Sequence, residues 1–144
     1  MTGLWVLMAT LVAAVAAGVL LRARNGRVRA AKPAAPARAL PGPVTAVLDP
    51  AVAVTLVQIS TTFCAPCRHA KAVLGPLAER TDGLRHVELD VTNQPEVARS
   101  LSVLRTPTTI ALTPDGRELL RVGGVPKGPD LLAALRPHLT TRTS

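Results

Sequence analysis

Thr55-Leu56-Val57-Gln58-Ile59-Ser60 runs through Thr61-Thr62-Phe63 into Cys64-Ala65-Pro66-Cys67, and Arg68 to Arg80 follows with apolar residues at helical spacing. A strand, a Cys-x-x-Cys and a helix, in that order, is the context in which this spacing signals thiol–disulfide chemistry. Cys64 and Cys67 are the only cysteines in the chain, so the pair closes a small ring without a partner elsewhere.

Disulfide exchange needs an accessible thiolate and a second thiol near enough to resolve the mixed disulfide. Cys64 falls at the predicted N-terminus of the helix, where unpaired N–H groups and the helix dipole draw its pKa from roughly 8.5 towards about 7. Cys67, one turn on, is placed to resolve. Pro66 suits the first turn, where its missing N–H is not needed. Arg68 and His69 either add positive potential or are simply solvated. Three other readings stay open. Zinc is the first, but the pair supplies only two of four ligands, and His69 and His86 would complete a site only by coincidence; no metal is expected. The others are a structural disulfide and a fold that has lost its activity.

The surrounding pattern is α/β. Val44 to Leu48 reads as a short strand, Asp49-Pro50 as a turn, and Val52 to Ser60 as a strand buried on both faces. Ala70, Val73, Leu74 and Leu77 mark a helix over Pro66 to Arg80, with a kink predicted at Gly75-Pro76. Arg85 to Val91 alternates as a strand, Pro95 to Leu101 is a short helix, and Thr108 to Leu112 a strand. Thr113-Pro114-Asp115-Gly116 turns the chain into a returning strand over Glu118 to Val122. Gly123-Gly124 breaks it, and Gly128 to Leu139 is a final amphipathic helix. The order β β α β α β β α gives a mixed sheet flanked by helices.

Before this domain lies Gly3 to Leu21, an uncharged run of 19 residues. That length spans a bilayer core, so a transmembrane helix over residues 1–21 is expected. A cleaved signal peptide competes, kept alive by the small residues of Val12 to Gly18, but no basic residue precedes the run. Residues 22–43 read as a basic, Pro/Ala-rich linker, 44–139 as the domain, and 140–144 as a disordered tail. The formal charge is +8, and Arg22, Arg24, Arg27, Arg29, Lys32 and Arg38 carry six of those charges with no acid among them. This flank favours a cytoplasmic domain on a single-pass protein of a bacterial-type plasma membrane, and it attracts anionic headgroups. Aromatics are nearly absent (Trp5, Phe63 and no Tyr), so the core is aliphatic. Without a basic face or interleaved aromatics, no nucleic-acid partner is expected.

The chain resembles the thioredoxin family over Val44 to Leu139. Phe63-Cys64-Ala65-Pro66-Cys67-Arg68 is similar to the family's Trp-Cys-Gly-Pro-Cys-Lys, Thr106-Pro107-Thr108 to its cis-proline segment, and Val122-Gly123-Gly124 to its glycine turn. Asp90-Val91 to Asn93-Gln94-Pro95 matches its strand-to-helix turn. The resemblance implies a thioredoxin-like fold with Cys64 as nucleophile and Cys67 resolving. It also implies that Pro107 is cis beside the pair, and that the Thr106 backbone and the apolar lip of Phe63 receive substrate. Four departures stand out. Phe63 replaces Trp, Ala65 replaces Gly, and the usual first helix is cut down to a few residues. Gln58 takes the place of the family's buried Asp, which helps move the resolving thiol's proton. Glu88, where the family has Lys, either substitutes as the carboxylate near the pair or points to solvent.

The expected function is reduction of disulfides in protein substrates, with no cofactor and with electrons from an upstream thiol reductant. The alternatives are an extracytoplasmic thiol reductase of the envelope and a non-catalytic docking module.

Overall fold

The computed structural model describes residues 1–31 and 39–139. The Pro/Ala-rich part of the expected linker (32–38) and the expected tail (140–144) lie outside the described residues.

The apolar N-terminal run forms helix α1, Thr2–Arg24, 23 residues with none buried. At about 1.5 Å per residue it is long enough to cross a bilayer, and its mean hydropathy is 2.5. A five-stranded mixed sheet follows, built from β1 (Val28–Ala30), β2 (Val54–Ser60), β3 (Leu84–Asp90), β4 (Thr108–Leu112) and β5 (Glu118–Gly123) in the spatial order β1-β5-β4-β2-β3. Only β2 and β3 pair in parallel. The helices are α2 (Gly42–Thr45), α3 (Ala65–Glu79), α4 (Pro95–Ser100) and α5 (Gly128–Leu139).

All seven residues of β2 are buried, because each face of the sheet carries its own apolar layer. Val54 and Leu56 pack with Leu74 of α3 and with Leu131 and Leu135 of α5. Val57 and Ile59 pack on the other side with Val44, Val97 and Leu101. Helix α3 buries Cys67, Ala70 and Leu74, a spacing of three and four residues that lays one stripe on the sheet. It runs as one element through Pro76.

The N-terminal edge differs from expectation. Val44–Leu48 is not a strand. Pro43 sits in the first turn of α2, the Val44 N–H donates to the Pro41 carbonyl at 2.9 Å, and Val44 alone of α2 is buried. Proline at that position removes the donor a ladder would need and presets a helical φ. The fifth strand instead comes from the span expected as linker: Val28–Ala30 pairs antiparallel with Val122–Leu120. The sheet therefore begins upstream of Val44.

Candidate active site

Cys64 caps α3. It is the last residue in extended conformation (φ −106°, ψ 97°), and its Sγ accepts the Cys67 N–H at 3.2 Å. A cap acceptor satisfies one of the N–H groups that a helix start leaves unpaired; here that acceptor is the sulfur itself. Pro66 stands in the first turn without interrupting a bond. Cys64 and Cys67 are joined as a disulfide with Cα atoms 5.2 Å apart. Cys64 is 9% exposed and Cys67 2%, so an incoming group meets Cys64 first.

Three segments converge at this end of the sheet. Ile59 of β2 pairs with Thr108 of β4, so the residues after Ser60 and those before Thr108 leave the sheet together. The Thr106–Pro107 bond is cis. Thr61 Oγ1 lies 3.4 Å from Thr106 Oγ1, which joins the approach to Cys64 with the proline loop. The Gly124 N–H donates to the Pro107 carbonyl at 2.7 Å, with Gly124 at φ +89°. A Cβ at Gly124 would collide with the Asn25 side chain. Phe63, beside Cys64, is 97% exposed.

Gln58 and Glu88 are neighbours in register on β2 and β3, yet they are held differently. Gln58 is fully buried. Its Nε2 donates to the Cys67 carbonyl at 2.9 Å, and its Oε1 meets His86 Nε2 at 3.0 Å. A backbone carbonyl only accepts, so the amide nitrogen must face Cys67 and the amide oxygen must face His86. His86 then carries its proton on Nε2. Burial holds the His86 pKa below its usual value, opposed by the nearby Glu88 charge and assisted by Lys71. Glu88 pairs with Lys71 of α3 at 2.8 Å, and the Lys71 hydrogen bond leads the causes that depress its pKa. Of the two residues expected to handle protons, Gln58 meets the backbone of Cys67 and Glu88 meets an ammonium group.

The sequence reading missed a brace beneath the approach to Phe63. Thr62 donates its N–H to Thr92 Oγ1 at 2.9 Å and its hydroxyl to Asp90 Oδ2 at 3.1 Å. Asp90 also accepts the Thr92 N–H and hydroxyl, contacts with Thr92 that head the causes lowering its pKa. Its signal was the Asp-x-Thr spacing of Asp90 to Thr92, a local turn in which a carboxylate bonds the backbone two residues on. Arg68 and His69 are exposed.

Known proteins are similar to this chain in sequence and fold. The family model described as Thioredoxin matches residues 45–136. Thioredoxin from Mycobacterium tuberculosis is 40% identical over 70 residues, which is 48% of this chain and 60% of that protein. Thioredoxin H2 from Arabidopsis thaliana is 32% identical over 72 residues, 50% of this chain and 53% of that protein. The chain thus spans between about half and three-fifths of these relatives' length. Thioredoxin from Staphylococcus saprophyticus is 33% identical over 87 residues, 60% of this chain and 83% of the relative. Among solved structures, thioredoxin from Nicotiana alata superposes with a TM-score of 0.53 at 27% identity, covering 60% of this chain and 73% of that one. Fasciola hepatica thioredoxin shares the fold at a TM-score of 0.56 and 23% identity, covering 66% and 90%. On the matched span, the disulfide at the helix start and the topology around it, this chain belongs to the thioredoxin family.

Proposed function

We propose that the chain is a membrane-anchored dithiol–disulfide oxidoreductase that reduces disulfides in proteins. The observation that carries this reading is the Cys64–Cys67 disulfide at the N-terminus of α3, at the same end of the sheet as the cis Pro107. In the reduced form the Cys64 thiolate attacks one substrate sulfur, and the other leaves as a thiolate that takes up a proton. Cys67 loses its proton and attacks Cys64 Sγ, which breaks the mixed disulfide. The substrate departs as a dithiol with two electrons, and the Cys64–Cys67 disulfide remains. The Thr106 backbone and Phe63 receive the substrate chain. Gln58 is neither an acid nor a base here, and its amide is engaged by the Cys67 carbonyl and the His86 ring, so it does not take the Cys67 proton.

The test is insulin reduction by the full chain in detergent micelles, with dithiothreitol as reductant and the Cys64→Ser variant as control. The wild type is expected to accelerate insulin precipitation well above the variant; equal rates overturn the reading. Alkylation of reduced Cys64 against pH should titrate below the usual thiol value of about 8.5. The basic flank of α1 supports a cytoplasmic domain. Since the pair holds the only cysteines, an impermeant maleimide should label reduced protein only after cells are permeabilised. Labelling in intact cells would favour the extracytoplasmic alternative.

A further inference from the structure

The cysteine pair and the exit of the apolar helix lie at one pole of the sheet. Val28, Val122, Thr109 and Gln58 form a single rung across β1, β5, β4 and β2. Moving off that rung in one direction leads from Gln58 to Cys64, from Thr109 back to Pro107, from Val122 to Gly124, and from Val28 back to Asn25. The alternation of strand directions makes this one pole. At about 4.8 Å between strands, Val28 and Gln58 are about 15 Å apart.

The joint between helix and sheet is fastened. The Asn25 N–H donates to the carbonyls of Leu21 and Arg22, and Arg27 Nε donates to the Ala23 carbonyl at 2.9 Å. The Gly26 N–H donates to the Gly123 carbonyl at 2.9 Å, and the Ala31 N–H to Leu119 at 3.0 Å. Gly26 takes φ +74°, and a Cβ there would strike the Val125 carbonyl. Since α1 buries none of its residues, it extends clear of the domain. Outside the N-terminal residue and α1, the exposed large hydrophobics among the described residues are Phe63 and Leu104, each 97% exposed. Both stand on loops of this pole, one beside Cys64 and one before Thr106-Pro107. Arg22, Arg24 and Arg27 by the helix exit and Arg105 beside Leu104 bring positive charge to it, and Asp90 at the end of β3 brings a carboxylate.

We propose that this pole faces the bilayer, and that the disulfide it reduces lies in a membrane protein at headgroup level, on an apolar segment that meets Phe63 and Leu104. The inference rests on the reading of α1 as a membrane span and of Cys64–Cys67 as the redox couple. A docked β1 sets the height of the active site; a free tether of residues 22–43 would let the domain tumble and would select no depth.

The test uses the full chain in vesicles of phosphatidylcholine with a minority of phosphatidylglycerol and dansyl-labelled headgroups. In a Trp5→Phe background, one tryptophan is placed by Phe63→Trp or, at the opposite pole, by Asp115→Trp. Flotation is scored first: a chain that stays soluble overturns the anchor reading and this proposal with it. In floating protein, the Phe63→Trp chain is expected to transfer energy several-fold more efficiently than the Asp115→Trp chain; equal or reversed transfer overturns the proposal alone. A flexible insert between Arg24 and Asn25 should abolish transfer from the Phe63→Trp chain, whereas the same insert before Ala39, beyond β1, should leave it unchanged. Equal effects of the two inserts indicate a free tether and overturn the proposal. For substrate, the dithiothreitol-reduced, desalted protein is given transmembrane peptides in a single turnover. The disulfide loop either flanks the span directly or stands a further domain height out. The flanking loop is expected to be reduced at least about tenfold faster, as its local concentration at the pole requires. No preference in a chain that reduces both loops overturns the membrane-partner assignment, and failure to reduce either overturns the oxidoreductase reading itself.

Discussion

Gln58 shows how one side chain reorganises the neighbourhood of the redox pair. A carboxylate at this depth would exchange protons, whereas the amide ties the carbonyl of Cys67 to the ring of His86. Truncation in Gln58→Ala takes one of two acceptor bonds from that carbonyl, which keeps its place in the ladder of α3, and leaves the half-buried His86 Nε2–H without its partner. An unmet buried polar group costs about 1–3 kcal/mol, and a loss of that size is expected in urea unfolding. Burial of the same imidazole makes stability depend on pH. His86 titrates below its ordinary 6.5 in the folded chain, so between the folded and unfolded values the unfolded chain binds the extra proton. Stability is therefore complete above about 6.5 and falls as pH drops from there through the folded pKa. Lys71 and Glu88 keep opposite charges throughout this window, because their ion pair holds the Glu88 carboxyl below its ordinary value. Urea midpoints measured across it should decline for the wild type and stay nearly flat for His86→Gln. A flat wild-type profile would show that His86 titrates alike in both states.

At the scale of elements, β4 carries the most local conflict. Among the described residues, Thr109 Oγ1 is the buried side-chain polar atom with no hydrogen-bond partner, and Thr109 pairs with Gln58 and Val122 in the centre of the sheet. Thr109→Val keeps the shape and removes the unmet hydroxyl. The expected gain is about 1 kcal/mol, read as a higher urea midpoint; a loss would mean that the hydroxyl is solvated. Most of the elements were legible in sequence for physical reasons. The buried run of β2, the stripe of α3 and the Thr113–Gly116 turn each carry their own local signal, and the structure sets the turn with Gly116 at φ +84°. The cysteine spacing was legible likewise, whereas the cis Thr106–Pro107 bond was implied by the family resemblance and carried no local signal of its own. Strand β1 was not legible, because three residues among arginines show no alternation and their pairing is decided by β5, over ninety residues away. Its one cue was Asn25-Gly26, a turn signal directly after α1. The contacts of Gln58 were equally hidden, because periodicity says which face a side chain takes and not which carbonyl it meets.

For the whole molecule, the decisive question is where the folded unit begins. A chain starting at Val44, the boundary that sequence alone suggests, lacks β1 and leaves the outer edge of β5 unpaired. The free-energy balance of that loss is small. Val28 is only half-buried, and the few ladder bonds, worth about 1 kcal/mol net each, are offset by the conformational entropy of the residues that make them. Unfolding midpoints are thus a poor discriminator. Association is a better one. Glu118-Leu119-Leu120-Arg121-Val122-Gly123 would present a strand edge of open N–H and C=O groups on a largely apolar strand, and such edges pair with other chains. A chain starting at Gly26 covers that edge itself. Sedimentation velocity of the two is therefore expected to show a monomer for the Gly26 chain and concentration-dependent dimers or larger species for the Val44 chain. Glu118, Arg121 and the short length of β5 work against pairing, so a monomeric Val44 chain would mean that these suffice as edge protection and that the role of β1 is to fix α1 to the pole of the cysteine pair rather than to guard the sheet.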